Sequence, residues 1–368
     1  MKILLLADIN SSHTRKWVEE LSGNGFRIGV FSISGPTSEW YLPLNIEVFA
    51  PLSFSSSIYS DSLLSKIRYL RLLPYLKSVI RNFNPEIVHA HYASSYGLLG
   101  ALSGFHPLVI SVWGSDIYFF SKVPVIGKEI LKFNFRRADL ILSTSNDMLR
   151  EISKHTRKEI HVTPFGVDVE LFRPVASKPF FNKGDIVIGT VKSLEECYGI
   201  NYLILAFSKL VSRHPDLPLK LLLVGGGTLE NELRELGGNL GLTGKIHFTG
   251  KVAFDEVPLY HNYLDIYVAL SISESFGVAV LEASACAKPV VVSDAGGLPE
   301  VVMDGVTGFI VASRDVEQAA DALSKLVENA ELRKEMGENG REFVKSQYNV
   351  NELARKMKPL YQQLINNK

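Results

Sequence analysis

Cysteine is almost missing from this chain. Two occur in 368 residues, Cys197 and Cys286, which excludes a disulfide framework and points to a reducing compartment. Net charge is missing as well: Lys and Arg number 39, as do Asp and Glu. No global basic field remains to hold nucleic acid, so none is expected as a partner. No apolar run reaches the roughly eighteen residues of a spanning helix. The opening run Lys2 to Ala7 is too short for a secretion signal and reads as a strand. A cytoplasmic protein is expected, at most peripheral to the inner face of the cell membrane. No Gly-x-Gly-x-x-Gly follows that strand, which argues against a dinucleotide oxidoreductase. No Asp-x-Asp ends a strand, since Asp168-Val169-Glu170 falls in a linker. The pair His89 and His91 has no clustered Cys or carboxylate beside it. No metal and no cofactor are therefore expected.

What is present is a regular alternation. Length suggests two domains, and a hydrophobic content of 46% is ample for their cores. Apolar strands are predicted at 2–7, 27–33, 46–50, 86–90, 107–112, 139–143 and 159–162, with helical patterns between most of them. This implies a doubly wound parallel sheet. Polar groups stand just past several strand ends, where open α/β sheets keep ligands. After the first strand, Ser11 or Ser12 reads as a helix cap. His13 and Arg15 read equally well as groups facing an anionic or hydroxylated ligand. His91 follows the fourth strand; Trp113 and Asp116 follow the fifth, and Asp116 reads either as a site carboxylate or as a helix cap. Segment 61–83 carries Lys66, Arg68, Arg71, Lys77 and Arg81 beside an apolar side. The preferred reading is an amphipathic crossover helix broken or bent at Pro74; the sharper one is a surface for anionic lipid headgroups. Thr163 to Pro174 ends the first domain, and the Pro-, Lys- and Ser-rich stretch 174–184 reads as an exposed linker suited to hinge closure.

The alternation resumes at Ile186 to Lys192, and strong 3.6 periodicity places helices at 315–329, 331–345 and 350–366. Between them lies the stretch around which the chain is organised, Ser273-Glu274-Ser275-Phe276-Gly277-Val278-Ala279-Val280-Leu281-Glu282. The apolar run 266–270 before it is a buried strand, and the small apolar residues 278–286 are a tightly packed helix. Glu274 therefore sits on the strand-to-helix loop and Glu282 inside the helix. Phe276 and Gly277 lie where unpaired N–H groups and the positive end of the helix dipole begin. This is a phosphate site with a carboxylate on each flank. The bland alternative is a strand–loop–helix unit with two solvated glutamates.

The residues that follow decide between the two. Pro289-Val290-Val291-Val292 and Gly296-Gly297-Leu298-Pro299-Glu300 complete a pattern that resembles the donor site of the retaining glycosyltransferases of family 4. The resemblance is loose over 1–160 and specific over 163–172 and 264–310. It implies a GT-B fold of class α/β: two Rossmann-like doubly wound domains facing a central cleft. An acceptor-binding domain would span 1–174 and a nucleotide-sugar-binding domain 185–345, with a helix at 350–366 returning to brace the first. It further implies a retaining glycosyltransferase that takes a nucleotide diphosphate sugar as co-substrate and needs no metal. The acceptor would be a glycan, a lipid-linked species or a small molecule, the commonest setting being polysaccharide assembly. By resemblance Glu274 holds the donor sugar, Glu282 the ribose, and Lys192 neutralises the diphosphate. Gly225, in the turn Gly225-Gly226-Gly227, lies near the nucleotide with Ser275, Phe276, Gly277 and Val278. His13, Arg15, His91 and Trp113 fall on the acceptor side.

The chain departs from the pattern at three places. Phe165 stands where Asn usually precedes Gly-Val-Asp. Trp113 stands where a histidine near the donor sugar is usual, which makes Asp116 the better catalytic candidate. Cys197 stands five positions after Lys192, where the family carries a second cation. These departures keep open a nucleotide-sugar-binding protein with reduced or lost turnover. A nucleotide-sugar epimerase on the same plan is weaker, because the paired glutamates match the transferase pattern.

Overall fold

The computed structural model describes residues 1–51, 69–118, 120, 126–176 and 178–366. The chain divides into two compact units: Met1–Pro164 together with the segment from Asn351 onward, and Phe165–Val350.

The first unit is built on a seven-stranded parallel sheet in the order β3-β2-β1-β4-β5-β6-β7. Its strands are β1 (Lys2–Leu6), β2 (Arg27–Phe31), β3 (Glu47–Phe49), β4 (Ile87–His91), β5 (Leu108–Val112), β6 (Leu140–Ser143) and β7 (Ile160–Val162). The central β4 and β5 are buried at every residue, as expected of continuous apolar runs covered on both faces. One core layer joins Leu4, Phe31, Leu76, Phe83, Leu99, Ile110 and Phe135. The terminal helix Asn351–Asn366 belongs to this unit and lies against Ser12–Gly23. Its Tyr361 is fully buried, with its ring edge-on to Phe26 at 6.0 Å.

Within the basic segment, 61–68 lies outside the described residues. The remainder forms a 3-10 turn at Tyr69–Leu72 and then the helix Leu73–Phe83, whose Leu76, Val79 and Phe83 are buried in that core. In this part the apolar side is therefore taken by the protein interior, as a crossover helix requires. Pro74 stands where the 3-10 turn gives way to the α-helix, in that helix's first turn, where its missing N–H has no intrahelical acceptor.

The second unit carries a six-stranded parallel sheet ordered β10-β9-β8-β11-β12-β13. These strands are β8 (Ile186–Val191), β9 (Leu219–Val224), β10 (Ile246–Gly250), β11 (Ile266–Ala269), β12 (Val290–Ser293) and β13 (Gly308–Val311). Long helices Ile200–Arg213, Val316–Glu328 and Ala330–Gln347 pack around it. Both sheets reverse their winding beside the first strand, between β1 and β4 and between β8 and β11. Such reversals open a crevice at the strand C-termini, where ligands bind.

Two features differ from the sequence reading. The division falls at Pro164–Phe165, not at 174, because Val167 exchanges backbone hydrogen bonds with Tyr348 and Val350. The stretch 174–184 is part of the second unit, not a free linker. Val175 N–H donates to Asn262 at 2.9 Å, and the Phe180 ring packs against His247 at 5.1 Å and Tyr263 at 5.2 Å. The stretch is exposed along most of its length, as its composition suggests, and is anchored by the half-buried Phe180 and Phe181.

Candidate active site

In the second unit, Lys192 leaves β8 and Glu274 follows β11, on the two strands that flank the switch point. Lys192 Nζ donates to Glu274 Oε2 at 2.6 Å, with 17% and 10% of the two side chains exposed. The ammonium also lies 4.4 Å from the centre of the Tyr198 ring, a favourable cation–π distance. Burial alone would lower the lysine pKa. The Glu274 carboxylate, with Tyr267 and Tyr198 adding to it, more than reverses this, and the net shift is upward. The ammonium is held between the Glu274 carboxylate and the Tyr198 ring.

Glycine turns hold this pair in place. At Gly296, where φ is +56°, an added Cβ would lie 2.0 Å from the Glu274 carbonyl oxygen, and at Gly297 2.5 Å from that of Ser275. Gly297 N–H donates to the Glu274 carbonyl at 3.0 Å. Gly225 and Gly227 play the same part on the other side. A Cβ there would meet the Lys192 and Leu194 carbonyl oxygens at 2.1 and 2.3 Å. The glycine turn after β9 is thus closed against the Lys192 loop by close packing of backbone on backbone. Glu195 locks it further, accepting from Thr228 N at 2.9 Å and Thr228 Oγ1 at 2.5 Å. Gly296→Ala is expected to destabilise the fold by about 1–3 kcal/mol through overpacking and to weaken nucleotide binding by displacing Glu274. Gly238→Ala, where a Cβ meets nothing within 4 Å, serves as the neutral control in thermal melting and ligand titration.

The helix after Glu274 is Val278–Ala285, with Gly277 before it at φ +112°, a conformation that favours glycine. Phe276 is buried, its ring 6.2 Å from Phe165 and 5.8 Å from Tyr348. Its side chain is core, so only its backbone is placed to meet a ligand. The same contact accounts for Phe165, which packs where a polar residue would be unsupported. Ser275 and Val278 are partly exposed at the helix start. Glu282 is buried to 7% exposure, and His261 Nε2 lies 3.6 Å from its Oε2.

Cys197 is half-buried, and its carbonyl oxygen accepts from Ile272 N at 2.8 Å and Ser273 N at 3.2 Å. Position 197 therefore steers the loop that carries Glu274 through its backbone. Burial first, and the Glu274 carboxylate next, push the thiol pKa up, so it stays neutral.

In the first unit, a ring cluster gathers past β4 and β5. His91 lies 4.5 Å from Trp113 and 4.6 Å from His89, and His13 meets Trp113 edge-on at 5.7 Å. Trp17 closes the cluster at 5.1 Å from His91. His13, His91 and Trp113 are thus brought together, but Trp113 is 8% exposed, and its neighbours are protein rings, not an open face for a sugar. Arg15 turns along its own helix to Glu19 at 2.8 Å. Asp116 lies in the first turn of the helix Ser115–Tyr118 and reaches back to loop N–H groups, so it is not the residue that caps that helix from outside. It is buried, and its oxygens accept from Ala93 N at 2.6 Å, Gly114 N at 2.8 Å and Trp113 N at 3.1 Å. Burial raises its pKa against the pull of those N–H groups. A carboxylate so engaged organises two loops and is poorly placed to move a proton. Among the described residues no group of three or more His, Cys, Asp or Glu is placed to hold a metal ion.

Sequence reasoning missed Tyr198, His261 and the reason for the glycines at 296 and 297. The doubled glycine was a readable signal of close approach. Tyr198 gave none, because the path of the loop that folds it back over Lys192 is not written in local pattern, and His261 gave none, because Glu282 stands on another helix.

Two family models match the chain: "Glycosyl transferases group 1" over residues 174–343 and "Glycosyl transferase 4-like" over 2–145. The N-acetyl-alpha-D-glucosaminyl L-malate synthase of Bacillus anthracis is 25% identical over 308 residues, covering 80% of this chain and 79% of the relative. Among solved structures, sucrose-phosphate synthase from Thermosynechococcus elongatus superposes with a TM-score of 0.85 at 20% identity, covering both chains fully. HepE of Anabaena, in complex with UDP and glucose, gives 0.80 at 20% identity over 99% of this chain and 100% of HepE. The paired glutamates, the cation fixed beside the first of them, the helix start and these likenesses lead to one conclusion: the chain belongs to the group 1 glycosyltransferases of GT-B fold and is a sugar-transferring enzyme.

Proposed function

We propose that the enzyme moves a sugar from a nucleoside diphosphate sugar to a hydroxylated acceptor, a glycan or a lipid-linked sugar, with retention of anomeric configuration. The observation that carries this reading is the Lys192–Glu274 pair at the strand switch point, beside the helix start at Val278. Charge builds on the leaving diphosphate as the glycosidic bond breaks. Preorganised donors aimed at that charge contribute most of the rate enhancement in such a reaction, and Lys192 with the N–H groups of the helix start are those donors. Glu274 holds the sugar hydroxyls while Lys192 fixes its orientation, and Glu282 accepts from the ribose diol; an ionised carboxylate is acceptor-only, which suits both tasks. The departing phosphate oxygen takes the acceptor proton, so no separate base and no metal enters the scheme. HepE, crystallised with UDP and glucose, supports a uridine nucleotide as the first donor to try.

The test is calorimetric titration with UDP- and GDP-sugars, then assay of transfer and NMR assignment of the product anomer. Binding of a nucleoside diphosphate sugar with a retained anomer supports the reading; no binding to any donor, or an inverted product, overturns it. The reduced-turnover reading is favoured by one observation, the neutral thiol of Cys197 beside Lys192 and Glu274. Cys197→Lys adds a cation there without disturbing the backbone carbonyl that holds the loop. It is expected to raise turnover about tenfold, equivalent to ~1.4 kcal/mol of barrier, whereas Cys197→Ser changes little in the same steady-state assay.

A further inference from the structure

We propose that His261 is a positioning residue that sets the Glu282 carboxylate for the ribose of the nucleotide; this rests on the donor reading above. His261 stands on the helix Val257–Tyr263 and is fully buried, and its Nε2 lies 3.6 Å from Glu282 Oε2. Neither of its ring nitrogens has a hydrogen-bond partner among the described residues. A buried imidazole always carries at least one N–H, and leaving that donor unsatisfied in an apolar interior is costly. A phenylalanine or leucine would fill the same volume without that cost. The chain nevertheless keeps a histidine beside the carboxylate that faces the ligand.

The ring is held from both sides. Phe172 meets it edge-on at 5.9 Å, and Tyr267 lies tilted against it at 5.5 Å. The neighbouring Asn262 amide is engaged with the carbonyl oxygens of Arg173 and Pro258, at 3.0 and 2.8 Å, and does not compete for Glu282. The two rings crowd the imidazole, and Nε2 is the ring nitrogen that lies 3.6 Å from Glu282 Oε2. The 3.6 Å separation exceeds a hydrogen bond. Contacts of this kind in active sites commonly tighten when ligand binds. One Glu282 oxygen would then be held by His261 and the carboxylate plane fixed for the diol.

The experiment measures UDP against 2′-deoxy-UDP, and GDP against 2′-deoxy-GDP, by calorimetry with the full chain. Wild type is expected to prefer the ribonucleotide about tenfold or more, the loss of one charge-assisted hydrogen bond. His261→Phe should bring that preference within about threefold, by weakening the ribonucleotide and leaving the deoxynucleotide unchanged. His261→Gln, which keeps an N–H donor, should fall between, and it carries the test if the phenylalanine variant does not fold. An unchanged preference in both variants at unchanged melting temperature overturns the proposal. Equal weakening of both nucleotides does so too, because it marks a general packing role. A wild type that binds both forms alike removes Glu282 from the ribose and overturns this inference alone. A wild type that binds none of the four nucleotides overturns the donor reading with it.

Discussion

Lys192→Met is expected to lower turnover by a hundred- to a thousand-fold, about 2.7–4 kcal/mol of transition-state stabilisation. Donor binding should fall far less, because the helix start at Val278 and Glu282 are untouched. The reason is geometric. The Lys192 ammonium is fixed by Glu274 at 2.6 Å and by the face of Tyr198 at 4.4 Å, so it needs no rearrangement when charge develops beside it. The same variant leaves Glu274 without its cation in a site that is only 10% exposed on that side chain. Breaking a buried pair by removing one partner typically costs about 3–5 kcal/mol, so a lower melting temperature is expected alongside the kinetic defect. The two effects separate in Lys192→Met combined with Glu274→Leu, which removes both charges and should recover much of the stability while restoring no turnover. The pair's pH dependence follows from its sign. Lys192 has a folded pKa raised above its ordinary 10.5, so its contribution is complete below that pH and is lost only as pH rises beyond it. Steady-state kinetics, nucleotide titration and thermal melting check these outcomes. Ordinary turnover from Lys192→Met would show that another cation neutralises the diphosphate.

The first unit is expected to lose stability steeply in acid. His89 is fully buried on β4, with Nδ1 2.7 Å from the Tyr361 hydroxyl and Nε2 2.7 Å from Ser111 Oγ. It ties β4 to β5 and to the terminal helix. Both partners are hydroxyls, which suit a neutral ring: one accepts from the imidazole and the other donates to it. Burial lowers its pKa from 6.5 to about 3. His91 is shifted well down by burial, then by the nearness of His89 and His13. Above pH 6.5 neither group makes stability depend on pH. Below it the unfolded chain takes up protons that the folded chain refuses, and stability falls as pH falls. For His89 the loss at pH 5 is about 2 kcal/mol, from 1.36 kcal/mol for each pH unit below 6.5, and His91 adds to it in the same direction. Melting at pH 7.5 and 5.0 should show the drop, and amide exchange should place it in Ile87–His91 and the terminal helix. His89→Gln should be less stable at pH 7.5 but lose less on acidification. An equal acid loss in wild type and variant would move the cause elsewhere.

The elements themselves were written in consecutive residues. The central strands are short apolar runs covered on both faces, so their places in the chain could be read without knowing their neighbours. Ile87 to His91 and Leu108 to Val112 are such cases, predicted within a residue or two of where they lie. The donor loop was legible for a similar reason. A carboxylate, a glycine at a helix start, a second carboxylate and a doubled glycine turn all fall within one local stretch. What could not be read was which loops meet. Lys192 and Glu274 are 82 residues apart, and they touch because β8 and β11 are neighbours at the point where the sheet reverses. The pairing of β8 with β9 packed Gly225 on the Lys192 loop, and the Cys197 carbonyl took the N–H groups of Ile272 and Ser273. Tertiary packing decided the other partners too. It gave Asp116 to three N–H groups, Trp113 to a ring cluster and His261 to Glu282. Local pattern determined strands, helices and the chemistry available at their ends, because those depend on residues within a few positions of one another. Only the tertiary structure decided the partners, because a side chain's partner is set by sheet order and by what remains unsatisfied once the backbone is buried.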